Sequence, residues 1–292
     1  MKIDLKMLVL PLAFACGCGV TPSEEGTVGS VQAGLTPSFA IDSTAVAAHP
    51  GAVLPQGLLT LRAFDDAMIA RALVQSSDPF TPGYKVGTRV ELDSANWRVE
   101  KDPQLGAVLV VAKNPSGPAV VQDERALEVK ATQRLLDWGV GKGEMGKVLQ
   151  RHAMVQDQDG NKSDVPSLHR YKTFVFRAIN GVPVEGHRAV VTHGLDGEFK
   201  RAFVRWPALA AQGHKLRTAL TTAEIEKAAV AALVREGEST GNARLHWKYV
   251  PVEQPSGEVT LTLAVGARLD GVSNIDGINE EAREIDVDVQ AQ

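Results

Sequence analysis

YKTFVFRAINGVPVEGHRAVVTHGLDGEFKRAFVRWP, residues Tyr171 to Pro207, is the stretch on which the fold turns. Strands are expected over Tyr171 to Ala178, Val182 to Thr192 and Phe199 to Trp206, each rich in β-branched or aromatic residues. Leu195-Asp196-Gly197 joins the last two, and Asp-Gly marks a tight hairpin. Between the first two, Gly181-Val182-Pro183-Val184 reads as a structural turn, with glycine for a positive φ and proline at a strand start or edge. An antiparallel meander follows.

Before this stretch, DERALEVKATQRLLDW (Asp123 to Trp138) opens on an N-cap residue and places Leu127, Ala131, Leu135 and Trp138 on one face. Gly139 ends it. A strand over Val148 to Val155 leads into DQDGNKSD, which reads as a turn. After the meander the order repeats. Thr221 and Glu224 have capping-box spacing at the start of a helix reaching Glu236, whose Ile225, Ala229, Ala232 and Leu233 face one way. Strands are then expected over Leu245 to Val250 and Val259 to Val265, alternating as half-buried antiparallel sheet does. The expected class is α+β: two units, residues 122–208 and 209–292, each a helix packed on an antiparallel β-meander. Residues 57–121 form an N-terminal segment with a weak helix over Leu58 to Gln75 and a hairpin of Trp97 to Val99 with Leu105 to Val111.

At the other end of the chain, MKIDLKMLVLPLAFACGCGV has Lys2 and Lys6 followed by an uncharged run from Met7 to Ala15 that stops at small residues beside cysteine. Those are the parts of an export signal over residues 1–18. The run is too short to cross a bilayer as a helix. Both cysteines of the chain, Cys16 and Cys18, lie at this junction, so the folded part is expected to hold no disulfide. Residues 19–56, rich in Gly, Ser, Thr, Pro and Ala without a period, read as a flexible tether. A formal net charge of −4 shows no basic excess, which argues against nucleic acid as a partner.

Several motifs invite chemistry and fail on context. Gly141-Lys142-Gly143-Glu144-Met145-Gly146-Lys147 matches a phosphate loop, but a helix precedes it and a strand follows. The helix N-terminus that would face the anion is therefore missing, and Val148 stands where a Ser or Thr should reach magnesium. Gly237-Glu238-Ser239-Thr240-Gly241 matches a hydrolase elbow with the same inverted order. His187 and His193 share one strand face, yet six strand residues hold them about 20 Å apart, too far to share an ion. DQDGNKSD has its glycine misplaced for a calcium loop and no closing glutamate. The reading therefore expects no catalytic residue, no cofactor and no metal, and expects His187→Ala and Ser239→Ala to leave the fold nearly intact.

Two resemblances complete the reading. The run ending at Ala15-Cys16-Gly17-Cys18 resembles the lipobox of bacterial lipoproteins, which implies lipid attachment at Cys18, with Cys16 the alternative and plain secretory cleavage a third case. Gly19 follows Cys18 without an aspartate, which by resemblance to lipoprotein sorting implies the outer membrane of a Gram-negative cell. The 171–207 stretch resembles the propeptide modules of thermolysin-type and fungalysin-type metalloproteases and the related PepSY domains. The resemblance is carried by Phe174 and Phe176, Gly181 to Val184, and Asp196-Gly197. Such modules assist or inhibit a protease and are not catalytic themselves. The chain ends at Gln292 without a protease domain, so inhibition would act in trans. The expectation is an exported, lipid-anchored, non-catalytic protein that binds a protein partner such as a secreted peptidase. A structural envelope lipoprotein and an enzyme with dispersed residues are the competing readings.

Overall fold

The computed structural model describes residues 37–47, 59–61, 79–103, 105–113, 117–155, 167–211, 220–253, 255, 259–270 and 284–287. The chain divides into Met1–Thr36, outside the described residues, and Pro37–Gln292. In chain order the second unit runs β1 (Ser38–Asp42), α1 (Thr44–Ala47), β2 (Leu59–Leu61), β3 (Thr81–Val86), β4 (Arg89–Asp93), β5 (Trp97–Asp102) and β6 (Ala107–Ala112). It continues with α2 (Glu124–Asp137), a 3-10 turn (Lys142–Glu144), β7 (Met145–Val155), β8 (Ser167–Ile179), β9 (Val182–His193), β10 (Phe199–Arg205) and β11 (Leu209–Ala211). It closes with α3 (Thr222–Arg235), β12 (Thr240–Glu253), β13 (Val259–Leu269) and β14 (Glu284–Val287).

Both long helices begin where the sequence places them. Asp123 caps α2 by accepting from Arg125 N, and Thr221 with Glu224 closes a reciprocal capping box on α3. Helix α2 buries Leu127, Ala131 and Leu135, and α3 buries Ile225, Ala229, Ala232 and Leu233. Around α2 the core gathers Val99, Val110, Val175, Val191 and Val204 from five strands, with Trp138 meeting Phe199 edge to face at 6.1 Å. Around α3 it gathers Leu245, Trp247, Tyr249, Leu263 and Val265.

The expectation of two helix-on-meander units is wrong. Among the described residues the protein is mostly sheet, and fourteen strands join into one mixed sheet, ten along the path β11-β2-β13-β12-β9-β10-β6-β5-β4-β3, with β1 on β12, β14 on β13, and β7 and β8 joined to β9 through β8. The joint is β9. Its first half lies parallel to β12, with Val184 opposite Tyr249, and its second half lies antiparallel to β10. Gly186 changes which side chains face inward: Val182 and Val184 are buried before it, His187, Ala189 and Val191 after it. A left-handed φ of +69° there makes this reversal possible, and glycine tolerates that conformation.

Strands distant in sequence complete both halves. Strand β6 pairs antiparallel with β10, carrying the β3–β6 meander onto the first half. Strand β1 pairs parallel with β12, from Ser38 opposite Thr240 to Asp42 opposite Arg244. Ser38–Asp42 thus lies in the sheet and Thr44–Ala47 forms α1, although both fall within the 19–56 stretch read as a tether. In α1, Val46 is buried in the α3 core and Ser43 Oγ donates to Glu226 Oε1 of α3 at 2.5 Å. Leu59–Leu61 forms a strand where a helix from Leu58 to Gln75 was expected; residues 62–75 lie outside the described residues.

Candidate functional site

Ile179 pairs with Val182, leaving Asn180 and Gly181 as a two-residue turn with φ of 50° and +83°. Positive φ at both positions makes a primed turn, the kind that matches strand twist. The turn is thus narrower than the sequence reading had it, because Val182, Pro183 and Val184 are the first residues of β9. Gly181, Pro183 and Val184 line a cleft of about 1000 Å³. Leu149, Phe176, Arg244 and Arg268 also line it.

Another lining residue, Arg177, belongs to a buried polar knot. The phosphate-loop-like segment is the 3-10 turn and the start of β7, and its Glu144 points inward. Glu144 Oε2 lies 2.5 Å from Arg177 Nη2 and accepts from Trp206 Nε1 at 2.9 Å. Arg177, 1% exposed, also donates to the Pro207 carbonyl at 2.7 Å and lies 3.4 Å from His187 Nδ1. Burial draws the Arg177 guanidinium below its ordinary pKa, and Glu144 opposes that shift. The His187 imidazole, buried and facing Arg177 and Arg205, is pushed down to about 3. His193 is pushed down to about 4 by burial and by Arg134 and Lys130. Both rings are neutral at physiological pH and buried, so His187→Ala is expected to cost stability, against the sequence reading that it spares the fold.

The one set of side chains with metal-ligand spacing among the described residues is Glu185, Glu284 and Asp286, whose carboxylate oxygens lie within 4.8 Å of one another. A cation already sits among them. Lys248 Nζ is 2.7 Å from Glu185 Oε2 and 2.9 Å from Glu284 Oε1, and it also pairs with Asp286. Burial lowers the ammonium pKa, but the three acids more than reverse this and hold it above the ordinary lysine value. Glu284, hydrogen-bonded to His246 and Lys248, falls to about 2. The arrangement is an internal ion cluster, and sequence reading missed it because its acids come from β9 and β14, far apart in the chain.

Opposite α2 the sheet presents a second face. Register places Leu149, Phe174, Val190, Phe203 and Leu109 side by side across β7, β8, β9, β10 and β6. All five are half-buried, and Phe174 stacks on Phe176 at 6.4 Å. On one side of this apolar row stand Arg151, Lys172 and Arg201; on the other stand Arg188 and Arg205, with exposed Lys147 nearby. No Asp or Glu occupies an outward position of β7 to β10 along these rows. The stretch read for its turns therefore also supplies most of a basic, apolar surface, visible only once the register is known.

Among the other residues singled out by sequence, Ser239 is exposed in the link from α3 to β12, where its carbonyl accepts from Ser38 N. Cys16, Cys18 and DQDGNKSD lie outside the described residues. No described helix is long and apolar enough to cross a membrane.

No protein-family model matches the chain, and no curated protein matches it. Among solved structures it resembles an uncharacterized protein from Eubacterium rectale at 8% identity and a TM-score of 0.48, over 82% of this chain and 85% of that one. The Bacillus megaterium YpeB C-terminal domain superposes at 9% identity and a TM-score of 0.33, over 77% of this chain and 99% of that one. At these scores neither likeness bears on function.

Proposed function

We propose that the chain is an exported, lipid-anchored protein that works by binding a protein partner, with a secreted peptidase as the partner class, and not by catalysis. The observation that supports this most is the two-sided sheet: a helix roofs one face of β6 to β10, while the other carries an apolar row across five strands. A contiguous apolar surface rimmed by polar residues is a feature of interaction sites. The lipobox-like run ending at Cys18, and the propeptide-like stretch from Tyr171 to Pro207, supply the anchor and the partner class.

The test has two arms. In the first, the full chain in a Gram-negative host takes up labelled fatty acid and sediments with membranes, and Cys18→Ala abolishes both; loss only with Cys16→Ala moves the anchor to that residue. In the second, crosslinking on intact cells captures one stoichiometric peptidase, and adding the purified protein lowers its activity. Capture of an envelope scaffold component instead would replace this reading with that of a structural lipoprotein.

A further inference from the structure

The apolar row on the open face is not symmetrical in chemistry with its surroundings. Phe174, Val190 and Phe203 lie half-buried, with Arg188 and Arg205 along one side and Lys172 and Arg201 along the other. Strands about 4.8 Å apart make the five-residue row about 19 Å long. Cationic positions two residues to either side along each strand place the charged rows about 13 Å apart. That is a trough with an aromatic floor and cationic walls, wide enough for one helix of about 10 Å diameter.

We propose that this trough is a docking track for an acidic amphipathic segment of the partner protein. The inference rests on the reading of the chain as a protein-binding module and specifies what the partner presents. A segment of about 13 residues spans the row as a helix. Its apolar side chains meet Phe174 and Phe203 while its carboxylates meet the arginines, which bind carboxylates in a forked geometry. Charge complementarity selects the segment, since along the apolar row and the two rows flanking it β7 to β10 offer cations and no acids. A flat anionic bilayer fits less well. The rings lie below the reach of the longer Arg and Lys side chains, so a planar surface would meet the charges and leave the apolar row uncovered.

The experiment uses the full chain in detergent and a fluorescein-labelled peptide of about 13 residues with leucines at helical i, i+3, i+4 and i+7 spacing and glutamates elsewhere. The expected result is saturable binding that weakens as salt rises and is absent for the matching lysine-for-glutamate peptide. Arg188→Glu and Arg201→Glu, both at exposed positions, each weaken it tenfold or more. Phe203→Ser does the same with a melting curve recorded beside it, and Arg235→Glu on α3 leaves it unchanged. Equal binding of both peptides, or binding insensitive to Arg188→Glu and Arg201→Glu, overturns the proposal. So does a Cys16→Ala/Cys18→Ala protein that binds phosphatidylglycerol vesicles through this face while ignoring the acidic peptide. If a crosslinked peptidase binds normally to the Arg188→Glu protein, the track fails while the protein-binding function stands. If the anchored protein captures no partner at all, the function itself fails.

Discussion

Glu144 Oε2 lies 2.5 Å from Arg177 Nη2, so a carboxylate from the glycine-rich turn after α2 neutralises a guanidinium that is 1% exposed in the sheet core. Glu144 also accepts from Trp206 Nε1, tying the turn to the end of β10. Removing it strands a buried cation. Glu144→Ala is expected to cost about 2–4 kcal/mol, less than a fully buried pair because Glu144 is partly exposed. Glu144→Gln, which keeps hydrogen-bonding capacity, should cost less. Chemical denaturation of the two variants checks this, and a Glu144→Gln protein as stable as the unaltered one would mean that the charge contributes nothing.

Gly181 has a φ of +83° and open space where a Cβ would project. Strain in Gly181→Val is therefore a backbone effect, about 1–3 kcal/mol, with no clash added. Gly181→Asn, a residue that tolerates the left-handed region, should recover most of it. If Gly181→Asn melts as low as Gly181→Val, conformational preference is not the cause.

Lys248→Ala leaves Glu185, Glu284 and Asp286 facing one another without a counter-ion. The expected loss is about 1–3 kcal/mol at neutral pH, moderated because the acids are partly exposed. Millimolar calcium should restore part of the melting temperature in this variant and leave the unaltered protein unchanged, because there the ammonium holds the position. A calcium response of equal size in both proteins would contradict the assignment of Lys248 as the internal cation.

His187 and His193 have pKa values of about 3 and about 4 in the folded protein, against 6.5 for a free imidazole. The unfolded chain takes up protons that the folded one refuses, so this stability is complete above about pH 6.5 and is lost as pH falls. Between pH 6.5 and 5 the imidazoles dominate, because the contribution of Glu284, whose carboxyl falls from 4.5 to about 2, is lost only below about pH 4.5. Melting temperature should fall across that interval, and His187→Gln should flatten the slope. A melting temperature constant from pH 6.5 to 5 would refute the buried neutral state.

Residues 38–47 anchor the α3 half of the sheet through β1 and Val46. A chain beginning at Leu58 should therefore be less stable than one beginning at Gly19; burial of Val46 alone is worth about 1.5–3 kcal/mol. Identical melting curves would return this segment to the role of a tether.

Much was readable locally. The capping residues of α2 and α3, the meander from β8 to β10, the β12–β13 hairpin and the β5–β6 pair follow from signals within a few residues of each other, which is where capping and turn chemistry act. Strand β3, TPGYKV, gave no signal, since Pro82 and Gly83 interrupt it and every side chain is exposed. Strand β1 looked like tether because only its partner β12 makes it a strand.

By itself, then, the sequence determined α2, α3, the β8 to β10 meander and the β12–β13 pair, because hydrogen-bonding caps, positive-φ turns and side-chain periodicity are local. Tertiary structure alone decided that the strands form one sheet through the reversal at Gly186, that Glu144 neutralises Arg177, and that cations flank a row of apolar side chains. Each of those depends on register between strands far apart in the chain, and a shift of one residue would send every side chain of a strand to the opposite face.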